Sequence, residues 1–296
     1  MKKLTSKDIL YTALITKLLK ENLKEHDKEI EELEKEEKEN RDNLLTDISK
    51  ILLSYKIVDS VLDLSSTEKV VLNTKFSKKI DGYFSKEAKN EYKLALKILV
   101  QSGKDRHNIN NYIESLGNKE FKDKLLSEKV IKDIINSKVD KKLWSDRLWN
   151  NKEQIAKIIK NDIKDFLDGK ISVNDIEKHI KNRYDTNAFN TRRLVQDNIA
   201  RVQEGINNKW QEENNINYVM YSATLEKSTC DKCKEHDGKV YEISKKPVKL
   251  PQHPFCKCSY LNLSSKDWKP KTRLDNETKE VISYKTYKEW LKDKKS

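Results

Sequence analysis

Residues that end helices or form turns are scarce in this sequence, which has 6 Gly and 4 Pro among 296 residues. A large all-β fold needs many turns and uses more of both, so the scarcity favours long helices. Charged residues make up 37% of the chain and hydrophobic residues 35%. The hydrophobic residues recur at three- and four-residue steps, which is typical of amphipathic helices rather than of a disordered chain.

This pattern predicts a mainly α fold with long helices in the N-terminal and middle regions. Gly103 and Gly117 stand where helix C-terminal glycines belong. Residues 59–84 are expected to be mixed and loop-like, and the glutamates between residues 29 and 39 to form a solvated helix face. The expected helices lie at residues 85–102, 106–116, 127–137 and 144–166, with a short one around 176–180 and a long one from 186 or 187 to about 213.

Strand-forming residues appear only late in the chain. Residues 218–224 and 239–243 predict a β-hairpin, and the turn-forming pair Asp237-Gly238 precedes its second strand. We therefore expect an α+β protein overall, mainly helical, with a small C-terminal β-hairpin module. The expected regions are a charged helical region at residues 1–140, a domain at 141–262 with a metal knuckle at 229–260, and a basic tail at 263–296 with a short helix.

The net charge of +12 is compatible with a polyanionic partner such as nucleic acid, although lysines on helices commonly face solvent. No run of 18 apolar residues predicts a membrane helix, and no signal peptide is recognisable. We expect the protein to be made in a reducing cytoplasm, where cysteines more often bind metals than form disulfides.

All four cysteines lie within 29 residues, as a CxxC pair and a CxC pair. Zn²⁺ takes four sulfur or nitrogen ligands in a tetrahedron, and two close pairs joined by a hairpin supply that geometry. A redox CxxC, a disulfide pair and a catalytic zinc are the weaker alternatives, since no βαβ pattern, signal peptide or deaminase-type His-x-Glu motif accompanies the cysteines.

The sequence offers five strong candidates for four ligand positions. Cys230, Cys233 and Cys256 come first, and either Cys258 or His253 is the fourth; His236 is a weaker candidate. A site with four protein ligands is structural, because catalytic zinc keeps one open position. We therefore predict structural Zn²⁺ that stabilises the hairpin module.

The residues around these ligands resemble the C-terminal signature of the phage Mu F-like (head morphogenesis) minor head proteins. The similarity rests on Cys230-Asp231-Lys232-Cys233, on His236-Asp237-Gly238 followed by an aromatic strand, and on Pro251-Gln252-His253-Pro254-Phe255-Cys256-Lys257-Cys258. Lys257 replaces the family's usual Arg, and Val202-Gln203 stands where the family has Thr-Glu. The resemblance covers about residues 140–262.

Membership of this family implies a minor capsid protein of a tailed phage or prophage. Such a protein associates with the portal inside the virion head, after assembly in the bacterial cytoplasm, and aids head assembly and DNA packaging or ejection. The implied partners are the portal protein, the major capsid or scaffold protein, and double-stranded DNA bound without sequence preference. The resemblance assigns no DNA-binding residues.

Two other functions are less consistent with the sequence. A zinc-ribbon nucleic-acid-binding protein without a virion role is the alternative, but no Arg-rich helix follows the knuckle to enter a DNA groove. No motif that carries chemistry stands out, and the 38 residues after Cys258 are too few for a catalytic domain, so we expect no enzymatic activity.

Overall fold

Helices dominate the structure, as the sequence predicts. The computed structural model describes residues 6–117, 120–263 and 265–294, and for residues 6–25, 116 and 117 the backbone alone is described. None of the helices in these ranges is long and apolar enough to cross a membrane. The helices within the described ranges are α1 (Ser6–Ser54), α2 (Ser66–Gly117), α3 (Glu128–Ile135), α4 (Trp144–Leu167), α5 (Ile176–Glu213), α6 (Asp231–His236) and α7 (Tyr287–Asp293).

The expectation of a loop-like segment at residues 59–84 is wrong, because α2 begins at Ser66. A capping box explains this start. The Ser65 hydroxyl accepts a bond from the Glu68 backbone N–H at 3.3 Å, and the Glu68 carboxylate accepts one from the Ser65 backbone N–H at 2.8 Å. Before it, strands β1 (Ile57–Val58) and β2 (Val61–Leu62) form a short antiparallel hairpin.

Gly103 does not end a helix, and α2 continues through it to Gly117. A Cβ atom at residue 103 would lie 3.2 Å from Ile131 Cγ2 and 3.3 Å from Val202 Cγ1. The glycine therefore serves close packing of α2 against α3 and α5. Gly205 of α5 has the same role, since its Cβ would lie 2.6 Å from Ile134 Cγ2.

The two helices expected on either side of residue 186 form one continuous helix, α5. The hydroxyl of Thr186, a predicted start, donates to the Asn182 carbonyl at 2.8 Å, within the helix. A threonine can satisfy its hydroxyl in this way in a helix interior as readily as at a cap. The gap between the helices predicted at 144–166 and around 176–180 is present, because α4 ends at Leu167 and Gly169 has φ +79°.

The predicted hairpin is part of a three-stranded antiparallel sheet. Strands β3 (Tyr218–Ser222) and β4 (Val240–Glu242) form the expected pair, and β5 (Ser259–Leu263) pairs with the other side of β3. The order is β4-β3-β5, with Val219 opposite both Tyr241 and Asn262. Strands β6 (Thr272–Leu274) and β7 (Val281–Ser283) form a separate antiparallel pair.

The chain divides into two compact units. The cysteine unit contains the described residues of Met1–Asp27, Ile98–Ser137 and Gln196–Ser296, and the helical unit contains Lys28–Lys97 and Lys138–Val195. The boundaries predicted at residues 140 and 262 stay predictions. The core of the helical unit is apolar and includes Leu44, Ile48, Phe76, Ile80, Phe84, Ile159, Ile163, Phe166, Ile180 and Tyr184.

A charged cluster is buried in the helical unit beside this core. The Lys152 ammonium lies 2.5 Å from Glu37 Oε1 and 3.4 Å from Glu87 Oε2, and it also pairs with Glu91. All four side chains are almost fully buried. Glu37 thus corrects the expectation that the glutamates of residues 29–39 form only a solvated face. Because the helix repeat brings every third or fourth residue inward, one member of an acidic run can lie in the interior.

Neutral polar side chains donate hydrogen bonds to some of the carboxylate oxygens in this cluster. Asn40 donates to Glu87 at 2.6 Å, Asn187 donates to Glu37, and the Thr191 hydroxyl lies 3.4 Å from Glu91 Oε2. Three carboxylates nevertheless face one ammonium, so full ionisation of all three is unfavourable in the interior.

The pKa values follow from this imbalance. Burial raises the pKa of Glu87 to about 7, although Lys152 acts in the opposite direction. Burial likewise raises the pKa of Glu91 well above its usual value. Burial disfavours the Lys152 ammonium, but the carboxylates of Glu91, Glu37 and Glu87 outweigh it and raise the pKa of Lys152.

The helical unit is expected to lose stability as the pH rises from about 5 to about 8. In this range the folded protein keeps a proton on Glu87 that the unfolded chain releases near the ordinary pKa of 4.5. The folded state then binds more protons, so its stability falls with rising pH, by about 2 kcal/mol for one such group. Hydrogen exchange of the α4 amides measures this unit specifically.

Glu87→Gln should flatten this pH dependence, because the amide keeps the shape and the acceptor for Asn40 but does not titrate. Glu153→Gln, an exposed change on α4, serves as the control and should behave like the natural protein. An equally steep pH dependence in Glu87→Gln would show that Glu87 is not the responsible group.

Candidate metal centre

The CxxC half of the candidate site is built on the short helix α6. Cys230 is the N-cap residue, with extended backbone at φ −71° and ψ 155°, and Cys233 lies inside the first turn. The Lys234 N–H donates to the Cys230 carbonyl at 3.1 Å, which closes that turn. Residues three apart on a helix face the same side, so both sulfurs point to one region.

The CxC half lies on the loop that leads into β5. The Cys256 N–H donates to the His253 carbonyl at 3.1 Å, and Phe255 between them has φ +62°. A non-glycine residue in this left-handed region costs roughly 1–2 kcal/mol. The tight turn places Cys256 inside the protein, and Cys258 follows just before the first residue of β5.

The structure brings all five strong candidates together. Ligand atoms of Cys230, Cys233 and His253 lie within 4.8 Å of one another, and so do those of Cys233, Cys256 and Cys258. Cys233 belongs to both groups and is fully buried. We refer to these five residues as the cysteine cluster.

His236, the weaker candidate, is engaged elsewhere. Its Nδ1 lies 2.8 Å from the Tyr241 hydroxyl, and its ring packs against Tyr221 with 5.6 Å between centroids. Among the described residues it joins neither group of candidate ligands.

The sulfurs of the cluster determine one another's protonation. A hydrogen bond from the Cys233 thiol lowers the pKa of Cys256 to about 2, and the same interaction raises the pKa of Cys233 far above its usual value. The interaction therefore favours ionisation of the Cys256 thiol and opposes ionisation of the Cys233 thiol beside it. A dication removes this opposition, because metal ligation requires and stabilises thiolates.

His253 is oriented as a ligand for such an ion. Its Nδ1 lies 2.8 Å from the Pro254 carbonyl, which can only accept, so Nδ1 carries the proton. The neutral ring then presents the lone pair of Nε2. A hydrogen bond to a backbone carbonyl at the other ring nitrogen is the usual way in which proteins orient a metal-binding histidine.

Two tyrosines that the sequence analysis did not single out support the cluster. The Tyr221 hydroxyl donates to Cys233 Sγ at 3.1 Å, and the Tyr221 and Tyr260 rings meet edge to face at 5.3 Å. Both side chains are buried. The sequence does carry a signal for these tyrosines. Each lies in a strand segment close to the cysteines, at a position whose side chain faces inward.

Tyr260 is also fixed through its backbone. Its carbonyl accepts hydrogen bonds from Arg106 of α2 and Asn207 of α5, each at 3.2 Å. Asn207 in turn accepts a bond from Asn110 of α2 at 3.0 Å. Because Tyr260 is two residues after Cys258, these bonds fix the CxC half on the long helices of the cysteine unit.

A cavity of about 450 Å³ adjoins the cluster. Its polar wall includes Gln196, Ser228 and the pair Lys257–Glu226, whose charged atoms are 3.8 Å apart. All five residues of the cluster line this cavity, so the cluster is reachable from it. Four thiols and one imidazole at these separations can hold a thiophilic divalent metal ion.

Comparisons with known proteins agree with part of the sequence interpretation. The sequence model of the family described as "Phage Mu protein F like protein" matches residues 154–261. The resemblance to this family is therefore confirmed for that segment, which contains the whole cysteine cluster. No solved structure matches the chain.

A curated relative has a different description. The chain is 25% identical over 255 residues to a protein of Enterococcus faecalis named "NAD(+)--arginine ADP-ribosyltransferase EFV". The similarity covers 80% of this chain and 48% of the relative, so the chain spans about half of that protein's length.

The absence of enzymatic activity expected from the sequence is contradicted by this match. That expectation rested on the lack of a familiar motif and on the short segment after Cys258. A match over most of the chain is independent of both grounds, because it compares many residues that belong to no short motif.

Cys233→Ser is expected to abolish metal binding, from roughly one ion per chain to near zero, because this sulfur belongs to both ligand groups. Elemental analysis of the purified full-length protein gives the metal content, and circular dichroism shows whether the fold persists. Normal metal content and folding in Cys233→Ser would contradict the site. Cys258→Ser and His253→Ala serve as a matched pair, and the one that loses the metal identifies the fourth ligand.

Proposed function

We propose that this chain, with its Phage Mu protein F-like segment at residues 154–261, is a minor capsid (head morphogenesis) protein of a tailed phage or prophage. One observation supports this above the others. All five residues of the cysteine cluster fall within the matched segment, and they converge in space although 19 residues separate the two halves in sequence.

We further propose that the cluster binds Zn²⁺ as a structural ion. Four of its five members would complete a tetrahedron, and cysteine and histidine are the ligands that zinc takes in structural sites. Zn²⁺ would supply the positive charge that stabilises adjacent thiolates. Its binding energy would contribute to the folding of a three-stranded sheet that is too small to be stable alone.

The proposed setting is the inside of the head, next to the portal. The protein would contact the portal protein and the major capsid or scaffold protein there. The net charge of +12 supports contact with double-stranded DNA without sequence preference, since lysines neutralise phosphates irrespective of base sequence. In functional terms we retain the division into a helical region to residue 140, a head-protein domain at 141–262 and a basic tail.

Mass spectrometry of purified phage or induced prophage particles tests the capsid role. The protein should co-purify with heads that contain the portal at a few copies each, and it should be depleted from heads assembled without the portal. Its absence from purified heads, with the portal and the major capsid protein detected in the same sample, would overturn the proposal.

The alternative, a zinc-ribbon nucleic-acid-binding protein without a virion role, differs in how it binds DNA. The capsid role predicts weak binding that is indifferent to sequence and decreases steeply with salt. Tight and sequence-selective binding at physiological salt would favour the alternative. A salt titration with several unrelated duplexes distinguishes the two.

A second candidate function comes from the curated relative. Similarity over 80% of the chain to a protein named as an NAD⁺–arginine ADP-ribosyltransferase supports a role in ADP-ribose transfer to arginine. This function is compatible with a virion role, since one chain can carry both.

Incubation of the full chain with labelled NAD⁺ and agmatine, a small guanidine acceptor, tests the transferase candidate. If the chain carries the activity, the label appears on agmatine in an enzyme-dependent manner, and heat-denatured protein gives none. Lack of transfer at high protein concentration would reject transferase activity for this chain and leave the capsid proposal unaffected.

A further inference from the structure

Residues 265–294 contact both chain segments that flank α6. These residues include β6, β7 and α7, and we call them the C-terminal cap. They lie beyond the segment matched by the Mu F-like family, which ends at residue 261. Helix α6 contains six residues, and a helix of this length has little stability of its own. Besides the bond from Tyr221 to Cys233, the contacts at its two ends therefore position this helix, and with it Cys230 and Cys233.

The C-terminal end of α6 is fixed by a buried ion pair. Asp237, the residue that ends the helix, accepts two hydrogen bonds from the Arg273 guanidinium, at 2.9 and 3.1 Å. Both side chains are almost completely buried. A two-pronged Arg–carboxylate pair of this kind fixes orientation as well as distance.

Each partner of this pair makes further bonds. The Asp237 carboxylate also accepts from the backbone N–H of Ala223 at 2.8 Å and from that of Tyr287 at 2.6 Å. Arg273 donates to the carbonyls of Ala223 and Lys285, at 2.5 and 2.7 Å. One ion pair thus connects the end of β3, the end of α6 and the cap.

The segment that enters α6 is attached to the same cap. The Leu225 N–H donates to the Asn276 side chain at 3.1 Å, and the Asn276 N–H donates back to the Leu225 carbonyl at 3.0 Å. Two residues further, the Lys227 N–H donates to the Glu277 carboxylate at 2.9 Å. Leu225 is also buried against Tyr287 of α7.

The turn after α6 is shaped to receive the cap. Gly238 has φ +74°, and a Cβ atom there would lie 2.9 Å from the Tyr284 hydroxyl and 3.2 Å from Thr286 Cγ2. A side chain at residue 238 would therefore displace the cap as well as strain the turn. The pair Asp237-Gly238, read from the sequence as a turn, also forms the contact surface for the cap.

The two halves of the cysteine cluster are therefore held by different parts of the protein. The CxC half is fixed through Tyr260 to α2 and α5 by Arg106 and Asn207. The CxxC half is held by the cap at both ends of α6, and Cys233 also accepts a hydrogen bond from Tyr221 of β3 at 3.1 Å. A tetrahedral ion needs both halves at the correct separation, since ligand distances are defined to a few tenths of an ångström.

We infer that Asp237 and Arg273 are positioning residues of the metal centre, through which the C-terminal cap determines how long the bound ion is retained. The inference rests on the proposed zinc site. Loss of the ion pair should leave all candidate ligands present but free α6 to move, so that metal dissociates faster.

The test measures zinc release from the full-length, zinc-loaded protein to an excess of a chromophoric chelator. Arg273→Gln should release zinc about 10–100-fold faster, since loss of a residue that supports metal ligands weakens metal affinity by about this factor and we expect the loss to lie in the dissociation rate. Arg273→Lys should be intermediate, because lysine retains the charge but not the two-pronged bond. Asp237→Asn should resemble Arg273→Gln, and the double variant should be no faster than the faster single variant.

A control in the helical unit tests whether loss of any Arg–Asp pair speeds release. Arg183→Gln removes a more exposed pair of similar length, 2.8 Å to Asp162, and should release zinc at the natural rate. The cobalt-substituted protein adds a spectroscopic readout, since altered thiolate–cobalt absorption in Arg273→Lys reports a changed ligand geometry in a folded protein.

Each outcome decides between the two proposals. If the natural protein binds no zinc, the metal site itself is rejected. If it binds zinc but Arg273→Gln and Asp237→Asn release it at the natural rate, the site stands and the positioning role is overturned. Should both of these variants fail to fold, the release rate and cobalt spectrum of Arg273→Lys decide, and natural values for both would overturn the inference.

Discussion

The C-terminal part of the protein depends on one constraint. Several sulfur atoms must lie close together around the fully buried thiol of Cys233. The Cys233 sulfur lies within 4.8 Å of the thiols of Cys230, Cys256 and Cys258 and of a ring nitrogen of His253. Bringing these groups together requires α6, the loop before β5 and strand β3 to meet at one place. The left-handed turn at Phe255, the three-stranded sheet and the attachment of both ends of α6 all serve this meeting.

The two units handle buried charge in opposite ways. In the helical unit, Lys152 supplies an internal cation to three glutamates, and raised carboxyl pKa values relieve the remaining imbalance. The thiols of the cysteine cluster oppose one another's ionisation, since the hydrogen bond between Cys233 and Cys256 raises the pKa of Cys233. Lys152 supplies a cation to the carboxylate cluster from within the protein, whereas the zinc ion that we propose would supply one to the thiols.

Much of the fold and the members of the candidate site could be read from the sequence because the relevant signals are local. Helix periodicity, the strands at 218–224 and 239–243 and the spacing of the cysteines each depend on residues close in sequence. The errors came from long-range contacts and from local hydrogen bonds that the sequence permits in more than one structure. Gly103 looks like a helix terminus until Ile131 and Val202 are seen against it, and Thr186 looks like a cap until its hydroxyl is seen bonding within the helix. The roles of Arg106, Tyr221 and Arg273 likewise depend on partners 12 to 154 residues away.

The Lys152 cluster also restricts which alignment of helices the sequence accepts. Leucine and isoleucine surfaces can pack in several registers, since apolar contacts have little directional preference. A shift of α4 by one residue would turn Lys152 by about 100° and leave three carboxylates buried without a cation. The cluster therefore favours the native helix pairing over shifted pairings that would bury a similar apolar surface.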